Sequence, residues 1–206
     1  MKKKTIAIIV FTTCLLIMSC FLAINTNTNK AAIPKKEVPI YEIYSDYTLD
    51  VDKPEEVVGD ADYVFVGEVT KEIGTNYKNK TPIEQANGEI EYIGEAYTQY
   101  ELDVITNLKN ELPTAENISI EKQGGLREDG SAYDVFEGDQ LPKVGQIYIF
   151  TAYEQDDGSL LVAGANSTIS FDEKTKELDS NKEVRQTKEV ELYEEAVENQ
   201  VVTIEE

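Results

Sequence analysis

Tyr97 to Leu108 (YTQYELDVITNL) alternates with a period of two. Tyr100, Leu102, Val104 and Leu108 fall on one side, and Gln99, Glu101 and Asp103 on the other. Successive side chains of an extended chain point to opposite faces, so this pattern predicts a long half-buried strand and excludes a helix there. Ala61 to Ile73 (ADYVFVGEVTKEI) repeats it with a difference. Tyr63, Phe65, Gly67, Val69 and Ile73 share one side and Glu68, Thr70 and Glu72 the other, but Val64 and Val66 make the polar side apolar near its start. That end is expected to be covered on both faces. Ile118 and Ile120 mark a short third strand, and Gln146 to Tyr153 (QIYIFTAY) a fourth. Asp156-Asp157-Gly158-Ser159 reads as the turn into Leu160 to Ala163, with a further short strand at Ser167 to Phe171. Five or six strands with unequal connections predict a mainly β fold, either a small antiparallel barrel (OB-like, Greek key) or a two-sheet sandwich. Helix is expected in two places. Pro54-Glu55-Glu56-Val57-Val58 suits one turn with Asp52 as its cap, and Val190, Tyr193 and Val197 space one amphipathic helix between Thr187 and Gln200.

The N-terminus fixes a destination. Lys2, Lys3 and Lys4 precede a stretch without charge from Thr5 to Ile24, followed by Asn25-Thr26-Asn27-Thr28-Asn29. A basic segment before an apolar one is the pattern of an export signal or membrane anchor, with the lysines on the cytoplasmic side. Ile17-Met18-Ser19-Cys20 resembles the bacterial lipobox, which implies Cys20 as the lipid-bearing residue. The alternative is an uncleaved helix, since about 20 residues at 1.5 Å span the hydrocarbon layer. Full release is the third reading, but no small-x-small cleavage triplet follows the apolar run. The expected organisation is residues 1–24 as signal or anchor, 25–39 as a flexible spacer, and 40–206 as a single extracellular domain. Both cysteines, Cys14 and Cys20, lie in the leader, so no disulfide framework is available beyond it.

Charge narrows the partners. The chain carries 19 basic and 40 acidic groups; residues 1–29 hold three of the basic ones and no acid, leaving a net −24 beyond them. Phosphate neutralisation needs clustered Lys and Arg, so nucleic acid is excluded as a partner. Without a single His, imidazole catalysis is excluded. ADYVFVGEV, YTQYELDVITNLKNEL, Gln123-Gly124-Gly125 and LPKVGQIYIF, within roughly residues 55 to 165, resemble a layout of small uncharacterised Gram-positive surface proteins and lipoproteins. That resemblance implies one β-rich extracellular domain behind an export leader, and it carries over no catalytic residue.

Two long connections are expected, from Gly74 to Ala96 and from Gly124 to Val144. Structureless links of that length are usually functional or disordered. The first, with Tyr77 and Tyr92, reads as surface decoration. The second places Arg127, Tyr133 and Phe136 among several acids, and aromatics among polar groups suit the binding of a peptide or glycan. These three are the candidate ligand-binding residues, with pinning of the loop to the domain as the plainer role for the two aromatics. Asp46, Asp50, Asp52, Glu55 and Glu56 cluster, but no stretch meets the spacing of a calcium loop. Glu128-Asp129-Gly130 and Asp156-Asp157-Gly158 read as turns. No metal, cofactor or catalytic residue is expected. The reading is a membrane-tethered extracellular binding or accessory module on the outer face of the cell membrane, taking a protein, peptide or cell-wall partner. A surface enzyme inhibitor or immunity-type protein, and a small carboxylate-dependent hydrolase, are the alternatives.

Overall fold

The two alternating segments pair with each other. In the computed structural model, which describes residues 38–172 and 181–202, they form β2 (Tyr63–Glu84) and β3 (Ile90–Lys109), antiparallel from Val64↔Lys109 to Glu84↔Ile90. Before them come β1 (Ile40–Ile43) and α1 (Pro54–Asp60). After them follow β4 (Ile118–Gln123), β5 (Gly125–Leu126), β6 (Tyr133–Phe136), β7 (Ile147–Glu154), β8 (Leu160–Val162), β9 (Thr168–Ser170), α2 (Asn181–Val184) and α3 (Lys188–Glu198). The leader, Cys20 and the spacer up to residue 37 lie outside the described residues.

The fold is mainly β, with a six-stranded sheet ordered β2-β3-β4-β8-β7-β9 and a three-stranded sheet ordered β1-β6-β5. In the larger sheet β4 and β8 run parallel, while its other ladders are antiparallel. β2 also pairs through its free edge with β7, Tyr63↔Ala152 to Glu68↔Ile147, so the ladders return to the strand they start from. In the smaller sheet β1 runs parallel to β6 and β5 antiparallel to it.

The doubly apolar start of β2 explains the two cores. Phe65 and Val69 join Tyr100, Leu102, Ile118, Ile120, Phe150 and Val162 on one side. Val64 and Val66 face Val58, Ile149, Val190 and Tyr193 on the other, where α1 and α3 cover the sheet. Thr187 caps α3 by accepting the Val190 N–H, and Val190, Tyr193 and Ala196 are its buried stripe. Asp52 is not the cap of α1. Lys53 holds that position without a side-chain cap, because Pro54 starts the helix and Asp52 instead donates its N–H to Asp50. At the other end of α1, the Lys109 ammonium caps the carbonyls of Val58 (2.6 Å) and Gly59 (3.2 Å).

The first long connection is not irregular. β2 and β3 stay paired through Thr75↔Thr98 and Pro82↔Tyr92, and turn at Gln85 to Glu89, where Gly88 takes a positive φ of 85°. The register between β2 and β3 slips at five points, four of them between Val64 and Gly74 and one between Lys78 and Thr81, and each slip breaks the strict alternation of faces. The second connection is likewise structured, since it holds β5 and β6.

One ion pair lies wholly inside. The side chains of Lys122 and Asp139 are both 0% exposed and form an ion pair. Lys122 also donates to Ser167 Oγ (2.7 Å), Ser167 Oγ donates to Asp139 (2.9 Å), and Asp139 accepts the Thr168 N–H (3.0 Å). This network ties β4, the segment before β7 and the start of β9 together.

Candidate ligand-binding cavity

Where β5 crosses β3, the sequence needs glycine twice. Gly125 has φ +142°, and a Cβ there would stand 2.2 Å from Thr98 Oγ1; at Gly124 (φ +117°) it would stand 2.8 Å from the Asp134 carbonyl oxygen. Only a chain without side chains passes this close, so Gly124-Gly125 brings the small sheet against the large one. Thr98 Oγ1 then bonds the Gly124 carbonyl at 2.8 Å, and the Tyr77 hydroxyl donates to the Leu126 carbonyl at 3.1 Å.

The two sheets do not close completely. Between them lies a cavity of about 560 Å³, within the size range of small-molecule sites. One wall comes from the smaller sheet: Ile40 and Glu42 of β1, Leu126 of β5, and Tyr133, Val135 and Phe136 of β6. Glu72 and Thr75 of β2 with Thr98 and Tyr100 of β3 form the facing wall, and residues 139–143 close a third side. The parallel register Ile40↔Tyr133 and Glu42↔Val135 puts the β1 and β6 contributions side by side.

Two of the three sequence-predicted site residues meet here. Tyr133 is half-buried and Phe136 is 7% exposed, so Phe136 serves as wall and as packing at once. Arg127 is elsewhere engaged. Its Nε and Nη2 grip Asp134 at 2.9 and 2.6 Å, and its guanidinium lies 4.7 Å from the centroid of the Tyr41 ring. This clamp holds β1, β5 and β6 in one sheet and presents no free guanidinium to the cavity. Sequence reasoning missed Tyr100, Glu72 and Glu42. Tyr100 appeared only as an inward strand residue, and nothing local marks a core tyrosine whose hydroxyl meets a cavity.

Tyr100 is 1% exposed, yet it lines the cavity, and its hydroxyl has no hydrogen-bond partner among the described residues. Burial pushes its phenol up, helped by the Glu72 carboxylate and by the neighbouring Tyr148 and Tyr133 hydroxyls. Thr168 Oγ1 is the sealed side-chain polar atom left without a partner among the described residues.

A second concavity, of about 520 Å³, lies between the ribbon and the β7–β8 hairpin, lined by Lys78, Asn79, Tyr97, Glu121, Glu154 and the turn residues through Ser159. Its charged groups are largely engaged: Lys78 pairs with Glu121 and stands 5.0 Å from the Tyr97 ring centroid. Asp157 accepts the Ser159 N–H and hydroxyl. Gly158 and Gly130 have positive φ, and Asp129 accepts the Ser131 N–H, which is the turn geometry expected of both Asp-Gly pairs. Among the described residues no three acidic groups are placed to hold a metal ion.

No protein-family model matches this chain, and no curated protein matches it.

Proposed function

We propose that this protein is a membrane-tethered extracellular binding module without catalytic activity, whose ligand enters the cavity between the two sheets. The observation that carries the reading is a preformed, largely apolar cavity of about 560 Å³ with an unpartnered tyrosine hydroxyl in its wall. Such a combination of apolar lining and a few polar groups is what small-ligand recognition uses. The ring of ladders β2–β3, β3–β4, β4–β8, β8–β7 and β7–β2 supports reading the larger sheet as an OB-like barrel. On that barrel the smaller sheet acts as a side wall instead of a second sandwich layer. A rigid barrel with an accessory wall positions a site well, because its lining residues sit on strands. Among the lining residues Asp139 is already committed to Lys122 and the Thr98 hydroxyl to the Gly124 carbonyl. The lysine-headed leader supports the tether.

Native mass spectrometry of the full chain extracted from its own membranes tests both halves. The mass is expected to begin at acylated Cys20 or to retain Thr5 to Ile24; an intact leader on a chain found in the soluble fraction overturns the tether. A non-covalent adduct carried by the native chain, and lost in Leu126→Trp, is the expected sign of a ligand in the cavity. If Leu126→Trp keeps the adduct while folding normally, the ligand is held elsewhere.

A further inference from the structure

The chemistry of the cavity narrows what can fill it, and the inference rests on the binding reading above. Tyr100, Tyr133 and Phe136 bring three aromatic rings to its lining, and Glu42 and Glu72 bring two carboxylates. Both glutamates are exposed, so they stand at the mouth. Glu72 takes part in no hydrogen bond or ion pair among the described residues, and Glu42 accepts only the Tyr44 hydroxyl at 2.9 Å. Asp139 is neutralised by Lys122. Lys143 also lines the cavity and has no ion pair among the described residues. The free charges are therefore two carboxylates and one ammonium, in a chain of formal charge −21.

An anion entering here meets repulsion from two glutamates against attraction from the single Lys143 ammonium, so the balance of free charge at the cavity is negative. A neutral apolar molecule leaves the Tyr100 hydroxyl without a partner, a costly arrangement for a group only 1% exposed. A cation removes the first difficulty, since aromatic rings attract it and carboxylates neutralise it, and a cation that carries an N–H removes the second as well. We propose that the cavity is a binding site for an organic ammonium, an alkyl or aryl amine whose apolar body lies against Tyr133 and Phe136 while its charged nitrogen faces Glu42 and Glu72. A primary ammonium adds a hydrogen bond to the Tyr100 oxygen, which can accept as well as donate. The same chemistry is offered by a free small amine and by the lysine side chain of a peptide.

Titration calorimetry on the full chain in nonionic micelles tests this with five probes: n-butylammonium, tetramethylammonium, N-acetyl-lysine-N-methylamide, n-butanol and butyrate. The three cations are expected to bind and butyrate is not. Changing Glu42→Gln together with Glu72→Gln is expected to weaken cation binding about tenfold or more, as for loss of charged partners. Tyr100→Phe is expected to weaken n-butylammonium severalfold and leave tetramethylammonium unchanged, because only the former has an N–H to donate. A lysine derivative that binds more tightly than n-butylammonium assigns the site to a peptide side chain; the reverse order assigns it to a free amine. Binding of n-butanol or butyrate as tight as that of the cations overturns the ammonium site while leaving the cavity as a ligand site. So does an unchanged affinity in the double glutamine variant. Absence of binding by any probe overturns the ammonium site, and the Leu126→Trp adduct measurement then decides separately whether the cavity binds anything.

Discussion

The two concavities of this domain are nearly equal in size, about 560 and 520 Å³, and opposite in character. The one between the sheets has apolar walls, a tyrosine hydroxyl without a protein partner, and two carboxylates, Glu42 and Glu72, outside any ion pair among the described residues. The one beside the β7–β8 hairpin is polar, and its lysine already has a glutamate, its turn aspartate already has a serine. A group that has satisfied itself within the protein must give up that partner before it can hold anything else, whereas a group without a protein partner exchanges only water for the ligand. Volume alone therefore does not distinguish a site from a surface dent; the state of the polar groups does.

The largest test of that contrast lies behind the cavity, at Lys122 and Asp139. Lys122→Met is expected to cost about 3–5 kcal/mol in urea unfolding, because it leaves Asp139 charged and fully enclosed. Adding Asp139→Leu is expected to recover most of the loss, since the stranded charge is then gone; a double variant as unstable as the single one would mean that the network matters through its geometry.

Alkaline titration separates the two concavities next. Burial, aided by the Glu95 carboxylate, pushes the Tyr97 phenol of the polar cleft up to about 12; burial pushes Tyr193 to about 12 and raises the Tyr100 phenol of the cavity as well. In the unfolded chain each phenol ionises near 10.0, so the unfolded state sheds its protons first and stability is expected to fall as pH rises from about 10 through 12. Lys122 and Lys109 are held below 10.5 by burial, which contributes in the opposite sense as pH climbs towards 10.5. Urea midpoints between pH 9 and 12 read the slope, and Tyr97→Phe and Tyr100→Phe are each expected to flatten it.

Arg127→Lys is expected to cost about 1 kcal/mol, because a lysine cannot reproduce the two-pronged grip on Asp134 or the contact with Tyr41. Cavity ligands should then bind more weakly as β1 and β6 loosen. The smallest effect is expected from Lys78→Ala in the polar cleft, below about 1 kcal/mol and vanishing at high salt, since that pair is partly exposed.

The strand cores were legible because period two survives wherever one face meets the core: Phe65, Val69, Tyr100 and Leu102 all lie where the alternation placed them. Helices α1 and α3 were legible from Pro54 and from the Val190–Tyr193 spacing, whereas the single turn of α2 was not expected. What escaped was the ribbon from Gly74 to Ala96. Its residues are almost all exposed on both faces, so no face is apolar enough to read, although Asn87-Gly88 is a recognised hairpin signal. β1, β5 and β6 are too short to show a period at all. Of the site, Tyr133 and Phe136 were found because aromatics stand out in a polar loop. Arg127 stood out equally, but Asp134, seven residues on, had already claimed it. Tyr100 and Glu72 come together only through cross-strand pairing, which no local pattern records.

The cover on the second core has a consequence for how the chain assembles. Val58 of α1 and Val190 of α3 enclose the same apolar cluster, and the Val201 amide bonds the Glu55 carbonyl at 2.9 Å. These partners stand near opposite ends of the sequence, so a chain synthesised from its N-terminus holds Val64, Val66 and Ile149 uncovered until the last helix emerges. The ladders can form early, yet their outer face stays sticky, and any truncation before α3 leaves a folded sheet with a bare greasy side, prone to clump with its copies.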